Sequence, residues 1–524
     1  MRERFNTVAV AIPAQLFNVR CHVSIDRQVP VMTDFAVRLL HLSGPLEVSA
    51  LREYFGLSAS ELRNLLELLR EEGLIGEANG RISLTSYAES RFAASSDGLP
   101  RFTRIAERQS RPVFELLSYT PLPKALSSNY WDNTLELQWN TDDPTAGKTI
   151  DKAEAAFHKH FLDIERFELE DVNRRAYACY KVDEIRAGRP FSVPLPVHFE
   201  VDVEGNVEFE IDAQLELLPE SLRSQVRTLT ADRIAALSTR TNHLRAFIEF
   251  FDDELLARYL LTPSANGGRT ALINPDGRIG LRKDHAIDFR RYVHDVHGQA
   301  NGEVYDAGKS QALLGALYMP KCQSRLFNGL RRALAALKKT KTVNADLPEA
   351  IFWVIPDSDL WGRTSLVRDI INSIQTALKE GLGIPLEVIA IAPCSQDENR
   401  DRLFKRARLL LDAGFSRVFL GPYQPKQECF EVLLIPGIFG GATYQWVVPS
   451  ADRYNVPLGF VTQSEAKLQK MVEFTRTVLA SSLYGSGRGN GNTPEERKFW
   501  LDDADVSDFS FLDRYVTAPR LSTG

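Results

Sequence analysis

The chain has 524 residues, too many for a single hydrophobic core, so its length predicts several domains. Hydrophobic residues make up 44% and charged residues 25%, and no run of about eighteen apolar residues occurs, which argues against a membrane-spanning helix. The net charge of −6, from 69 acidic and 63 basic residues, excludes a uniformly basic polyanion binder.

Cysteine usage and the first residues indicate the compartment. The five cysteines are scattered and include no Cys-x-x-Cys pair, which supports neither a disulfide framework nor a zinc site. Pro13, Gln15 and Asn18 interrupt the apolar run near the N-terminus and argue against a signal peptide. The Gly-Lys-Thr and Gly-Lys-Ser sequences at Lys148 and Lys309 lack the first glycine of a phosphate-binding loop. We predict a reduced, cytoplasmic protein without metal or cofactor.

Residues 31–92 predict three helices followed by a two-stranded hairpin. Apolar residues recur at helical spacing in "TDFAVRLLHL", in "VSALREYF" and after Ser58 or Ser60, the candidate N-caps of the third helix. The hairpin turns at Asn79-Gly80, a strong turn signal. This element order resembles the winged helix-turn-helix family, whose third helix enters the DNA major groove.

The charge of this region leaves its role open. Between Asp34 and Phe92 there are nine acidic residues, six arginines and no lysine, whereas DNA binding requires cations to neutralise phosphates. The sequence therefore supports two interpretations equally. In one, the region contacts DNA through Arg63, Asn64 and Arg81; in the other, it contacts a protein or a second copy of the chain.

Residues 96–262 predict a mixed α/β domain with an acidic hairpin. In "HFEVDVEGNVEFEID" apolar residues alternate with six carboxylates around a turn at Gly205-Asn206, so one face is apolar and the other acidic. The acidic face is either solvated, or it docks a basic partner or masks the basic segment that follows.

A basic segment lies between residues 307 and 345, where eight Lys or Arg residues occur without any acidic residue. Its helical part, "KCQSRLFNGLRRALAALKKTKT", places four leucines on one side and cationic residues around the rest. Such an arrangement is typical of a surface helix or of nucleic-acid contact. The predicted nucleic-acid-binding residues here are Lys321, Arg325, Arg331, Arg332, Lys338, Lys339 and Lys341.

Residues 346–484 predict alternating strands and helices in an order that resembles one repeat of the phospholipase D-like superfamily, which includes nucleases. In that family a strand like "CFEVLLIPG" carries His-x-Lys, followed by an Asp; the His attacks phosphorus and the Lys holds the phosphate charge. Here Cys429, Glu431 and Pro436 stand at those three positions, and 449–452 (Pro-Ser-Ala-Asp) stand where the family has Gly-Ser-x-Asn. No histidine follows His297. The resemblance therefore implies a phosphate-facing fold without catalytic residues.

Two alternative functions remain. Asp357 and Asp359 follow a predicted buried strand and Glu387 begins the next one, so these carboxylates could hold Mg²⁺ in a nuclease. The lysine of a Glu-x-Lys motif is absent, because Ile389 occupies its place. The other alternative is a winged-helix transcription regulator whose C-terminal domain senses a ligand.

These observations predict a multidomain α+β and α/β protein. The predicted domains are a winged helix with an N-terminal arm (1–95), a mixed α/β domain with the acidic hairpin (96–262), a hairpin with the basic helical segment (263–345), a phospholipase D-like α/β domain (346–484) and a flexible tail (485–524). The leading functional prediction is a non-catalytic nucleic-acid-binding or scaffolding subunit of a bacterial DNA-processing or phage-defence complex. DNA is favoured over RNA, protein partners are expected, a homodimer is left open, and no membrane association is expected.

Overall fold

The computed structural model is a mixed α+β protein with several sheets. It describes residues 2–26, 30–93, 103–123, 131, 133–137, 149–169, 176–211, 219–237, 243–260, 287–297, 304–339, 347–448, 454–488 and 499–516. Among these, no helix is long and apolar enough to cross a membrane.

The chain divides into two compact units. The large unit contains residues 1–12, 129–139 and 193–524, and the small unit contains residues 13–128 and 140–192. The long strands β1 (Arg2–Asp26) and β8 (Ala176–Asp202) contribute residues to both. The first twelve residues therefore belong with the C-terminal half of the chain, an assignment that local sequence patterns do not predict.

The small unit contains the predicted three helices and hairpin. Ser58 caps the third helix in a capping box with Glu61, and Asn79 and Gly80 turn the hairpin with φ of 54° and 76°. The elements are α1 (Val31–Ser43), β2 (Leu46–Glu47), α2 (Val48–Phe55), α3 (Ala59–Glu71), β3 (Ile75–Ala78), β4 (Arg81–Leu84) and α4 (Ser86–Ala93), with the three strands in the order β2-β4-β3.

The rest of the small unit is a sheet packed against two helices. Strands β5 (Thr103–Ser110) and β6 (Val113–Glu115) pair antiparallel with β1. Helices α5 (Thr149–Lys159) and α6 (Phe161–Glu168) contribute Phe157 and Phe161 to a core shared with Phe17 and Phe114. This burial of aromatic rings between sheet and helices holds the layer together.

The large unit is built on a ten-stranded mixed sheet. Its order is β10-β11-β17-β16-β15-β12-β13-β14-β18-β19, in which β12, β13 and β14 are parallel neighbours and the other pairs are antiparallel. The strands are β10 (Val304–Tyr305), β11 (Ser310–Leu314), β12 (Ala350–Val354), β13 (Glu387–Pro393), β14 (Arg417–Gly421), β15 (Phe430–Ile435), β16 (Phe439–Val447), β17 (Asn455–Thr462), β18 (Tyr484–Arg488) and β19 (Phe499–Asp503).

Helices cover both faces of this sheet. Trp353 belongs to a core shared with the helices α11, α12 and α13, whereas the adjacent Phe352 packs against Phe509 and Phe511 of a 3₁₀ helix (Ser507–Tyr515). Successive strand residues point to opposite faces, so these are two separate cores. The helices are α7 (Glu220–Ala235), α8 (Leu244–Phe251), α9 (Glu254–Ala257), α10 (Phe289–His297), α11 (Pro320–Lys339), α12 (Leu366–Leu382), α13 (Arg400–Asp412) and α14 (Glu465–Ala480).

Two short strands complete the large unit. Strand β7 (Leu135–Glu136) pairs in parallel with Val10 and Ala11 of β1, and β9 (Val207–Ile211) forms the predicted hairpin with the end of β8. The predicted hairpin of residues 270–282 lies outside the described residues.

The C-terminal boundaries differ from the predicted ones. Strands β10, β11, β18 and β19 belong to the same sheet as the strands of residues 350–462. A separate domain is therefore formed neither by residues 304–339 nor by the described part of 485–524. The predicted flexible tail is wrong for residues 485–488 and 499–516, which form strands and a 3₁₀ helix. The glycine-rich sequence that suggested a linker is residues 485–498. Its first four residues belong to β18, and residues 489–498 lie outside the described residues. Strand β11 pairs with β17 and strand β18 pairs with β14, partners that are distant in sequence and that local composition does not reveal.

Candidate nucleic-acid interface

Helix α11 is anchored to the large unit by its apolar side. Leu326, Leu330 and Leu334 are buried. A Cβ atom at Gly329 would lie 2.5 Å from the ring of Phe439, so the glycine allows the helix to approach β16 closely. The amide of Gln463 donates a hydrogen bond to the Gly329 carbonyl over 2.9 Å. The orientation of the helix is therefore fixed.

The opposite side of α11 carries four exposed cations, Arg331, Arg332, Lys338 and Lys339. At 100° per residue, Arg331 and Lys338 form one row and Arg332 and Lys339 a second, with the two members of each row about 10 Å apart along the axis. The exposed residue between the rows is the small Ala335. Within the described part of the chain, none of the four cations forms an ion pair. We call these four residues the α11 cation cluster.

Three other predicted residues of the basic segment do not join this cluster. Arg325 is only 4% exposed, and its guanidinium donates to the carbonyls of Ala312 at 2.8 Å and Val296 at 3.3 Å. The prediction that Arg325 contacts nucleic acid is wrong, because the side chain satisfies the C-terminal end of α10. Lys321 pairs with the buried Glu3 at 2.8 Å, and Lys341 lies outside the described residues.

The acidic hairpin is paired with arginines outside α11. Glu200 contacts Arg4 at 3.3 Å, Glu208 contacts Arg2 at 2.8 Å, and Glu204 contacts an arginine of α10. Within the described residues no carboxylate of the hairpin pairs with the α11 cation cluster. The interpretation that the hairpin masks the basic helix is therefore not what the structure shows, and the cluster keeps its charge available.

In the small unit, the predicted DNA-contacting residues are exposed among carboxylates. Arg63 and Asn64 of α3 and Arg81 of β4 face solvent, but exposed Glu67 and Glu71 share the same side of α3. These carboxylates disfavour a phosphate backbone at this surface.

Helix α1 instead presents an apolar stripe. Val31, Phe35 and Leu42 are 69%, 51% and 84% exposed, and their spacing places them on one side of the helix. Between them Arg38 pairs with Asp34. Exposed apolar residues grouped on one side of a helix are typical of a protein contact.

The position that resembles the phospholipase D lysine is occupied by a completely buried carboxyl group. Glu431 accepts hydrogen bonds from the indole nitrogens of Trp353 at 3.0 Å and Trp361 at 2.8 Å and from the Thr443 hydroxyl at 2.6 Å. Burial raises the pKa of Glu431 above its ordinary value of 4.5, and the three hydrogen bonds partly oppose this. A phosphate cannot reach this group, and a carboxylate would repel it.

The position that resembles the nucleophilic histidine is also closed. Cys429 is 7% exposed and lies beside Tyr444, whose pKa is raised by burial first and then by this thiol. Phe247 of α8 packs on Phe430 with ring centroids 5.2 Å apart, and the backbone N–H of His243 donates to the Tyr444 hydroxyl. Helix α8 thus covers this end of β15. Residues 449–452, which resemble the Gly-Ser-x-Asn motif, lie outside the described residues.

The carboxylates of the alternative nuclease do not come together. Glu387 pairs in register with Ala350 at the start of β12, whereas Asp357 and Asp359 follow the other end of that strand. At about 3.3 Å per residue the separation is roughly 20 Å, too far to share one ion. Among the described residues no group of three His, Cys, Asp or Glu residues could hold a metal.

Comparison with protein-family models, with curated proteins and with solved structures finds no match to this chain.

Proposed function

We propose that the protein is a non-catalytic nucleic-acid-binding subunit that contacts the phosphate backbone through the α11 cation cluster. The observation that carries this proposal is the set of four exposed cations that form no ion pair with the described residues, on a helix whose apolar side is buried. Cys429 and Glu431 are both buried at β15, where a substrate cannot reach them, and this supports binding rather than hydrolysis. DNA is favoured over RNA, and the setting we propose is a multi-component DNA-processing or phage-defence system.

The family resemblances fit this proposal. Three helices with a hairpin, as in winged helix proteins, would form a contact module, and the β15–β16 region would be a phospholipase D-like scaffold that has lost its catalytic residues. In this arrangement the large unit binds nucleic acid and the small unit recruits a protein.

The number of cations predicts how strongly the binding depends on salt concentration. If each cation neutralises one phosphate, four contacts contribute a slope of about −3.6 in the plot of log affinity against log salt for duplex DNA, and about −2.8 for a single strand. Binding should not need Mg²⁺, because it uses side-chain cations.

The test replaces Arg331, Arg332, Lys338 and Lys339 together by Gln and measures affinity over a salt series, with Mg²⁺ or with chelator. We expect the salt slope to fall by about three and binding at low salt to weaken at least tenfold. A matched control replaces four other exposed cations, Arg402, Lys405, Arg408 and Lys426, by Gln, with the same change in net charge.

Equal losses in the two variants would mean that binding follows net charge rather than the α11 cation cluster, and would refute the proposal. Cleavage that depends on Mg²⁺ and disappears in Asp357→Ala would establish the nuclease alternative instead.

A second candidate role is self-association through α1. The stripe of Val31, Phe35 and Leu42 is exposed, and the Asp34–Arg38 pair beside it is self-complementary if two α1 helices pack antiparallel. The occupant we propose for the stripe is therefore a second copy of the chain.

A further inference from the structure

A groove opens beside the C-terminal end of α11 in the large unit. Its volume is about 440 Å³, in the range of sites for small organic groups. Leu337 of α11, Ile438 of the β15–β16 turn and Leu468 of α14 form an apolar floor, and Tyr515, Gln463 and Gln469 border it.

The turn between β15 and β16 holds the ring of Tyr515 in place. Gly437 has φ of +70°, and a Cβ atom there would lie 2.6 Å from the Tyr515 ring. The ring therefore lies directly on the glycine backbone while it also borders the groove. A fixed aromatic ring at the edge of an apolar groove is a surface on which a planar group can stack.

The polar groups of the groove suit an uncharged hydrogen-bonding ligand. Gln463 uses its amide nitrogen for the Gly329 carbonyl, so its carbonyl oxygen can still accept. Gln469 provides a second amide. Arg514 is paired with Glu349 at 3.5 Å, and Glu465 adds a carboxylate to the lining. A phosphate inside the groove is disfavoured by this carboxylate, whereas a neutral ring with donors and acceptors is not.

The groove adjoins the α11 cation cluster. Leu337 lines it and is followed directly by Lys338 and Lys339. Around the helix, Leu337 lies about 100° from Lys338 but about 160° from Lys339. Of the two rows, that of Arg331 and Lys338 is therefore nearer to the groove around the helix. A strand whose phosphates follow this row would run beside the groove that Leu337 and Tyr515 both line.

We propose that the groove receives an unpaired nucleobase of a single-stranded nucleic acid whose phosphates contact the α11 cation cluster; this inference rests on the proposed function. In a duplex the bases are paired and stacked, so the groove would select single strands. Cations that follow the backbone, combined with an aromatic surface for the bases, are the usual physical basis of single-strand binding.

The test compares two labelled strands of equal length and equal phosphate number, oligothymidine and an abasic sugar-phosphate strand, by fluorescence anisotropy with the full chain. We expect oligothymidine to bind roughly tenfold more tightly. Tyr515→Ala should reduce its affinity to that of the abasic strand and leave abasic binding unchanged, whereas Tyr515→Phe should retain the preference.

Gly437→Ala provides a second route to the same result, because the added Cβ displaces the Tyr515 ring without removing it. Each variant is first compared with wild type by circular dichroism. Equal affinity of the wild-type protein for the two strands would overturn the base contact while leaving phosphate binding by α11 intact. Binding of neither strand would overturn both the inference and the proposed function.

Discussion

At residue scale, Glu431 is a carboxyl group surrounded by three hydrogen-bond donors and no cation. Because its pKa is raised in the folded protein, its contribution to stability is complete below about pH 4.5, the value for an unfolded Glu, and is lost as the pH rises through the raised folded pKa. Burial favours the protonated, neutral form of Glu431, and the three donors oppose it.

We predict that Glu431→Gln removes this pH dependence. Gln can accept from both tryptophans and donate to Thr443, so it mimics the protonated acid. Relative to wild type, the variant should gain thermal stability as the pH is raised from about 4.5 to 8. Melting temperatures at several pH values check this, with Glu208→Gln as the exposed control. A constant difference between Glu431→Gln and wild type would contradict the protonated state.

We also predict that introducing the histidine and lysine of the phospholipase D-like pattern does not create phosphodiesterase activity. Glu431→Lys places an ammonium group among three donors in a completely buried site, which should cost at least about 3 kcal/mol of stability. Combined with Cys429→His it should show no phosphodiesterase activity, because Trp361 and α8 still close the site. Hydrolysis by a folded double variant would show that the position is accessible.

Variants of Arg325 and Arg331 should separate effects on stability from effects on nucleic-acid affinity. Arg325→Met leaves the Ala312 and Val296 carbonyls without their donor, so we expect a loss of about 2–4 kcal/mol of stability and unchanged affinity of the folded protein. Arg331→Gln should do the reverse, since its side chain is exposed. Melting curves and anisotropy on both variants check the assignment, which fails if Arg325→Met weakens binding without destabilising the fold.

At the scale of elements, the two rows of α11 should differ in their effects. The Arg331–Lys338 row lies nearer around the helix to Leu337, which lines the groove, so replacing both by Gln should weaken single-strand binding more than replacing Arg332 and Lys339. Both pairs remove two charges, and each therefore serves as the control for the other. Equal losses would indicate that the strand crosses the helix rather than following the groove side.

Elements whose signals are local could be predicted from the sequence. Ser58 caps α3 and Asn79-Gly80 turns the β3–β4 hairpin because each depends on residues within a few positions. The apolar side of α11 follows from its leucine spacing. The burial of Arg325 does not, because it depends on carbonyls of two other elements.

The groove could not be predicted, because it depends on strands that pair across long sequence distances. Strand β18 pairs with β14, with Gly487 opposite Arg417, and the chain beyond it brings Tyr515 to Gly437. Residues 500–516 read as a loosely ordered tail in sequence, since strand periodicity identifies a strand but not its partner.

At the scale of the whole molecule, an acidic chain that binds nucleic acid through the α11 cation cluster should do so only in a defined orientation. The apolar stripe of α1, in the small unit, is then the proposed contact with a second copy of the chain. We predict that Leu42→Glu reduces self-association, because it places a charge on the most exposed apolar residue of the stripe. Sedimentation velocity over a concentration series checks this, with Tyr180→Glu, another exposed apolar position, as control. A wild-type protein that is monomeric at all concentrations would refute the α1 contact.

The place of the first residues in the large unit has a consequence for synthesis on the ribosome. The backbone N–H of Ala9 donates to the carbonyl of Arg363, and that of Ala316 donates to Phe5. At roughly 5–20 residues per second, Ala9 waits about 20–70 s before Arg363 has been made. During that interval the strand can pair with β7 and β8, but its hydrogen bonds to Ala316 and Arg363 cannot yet form. Nascent-chain occupancy by a holdase chaperone should therefore begin early and end only when the central strands of the large sheet have emerged.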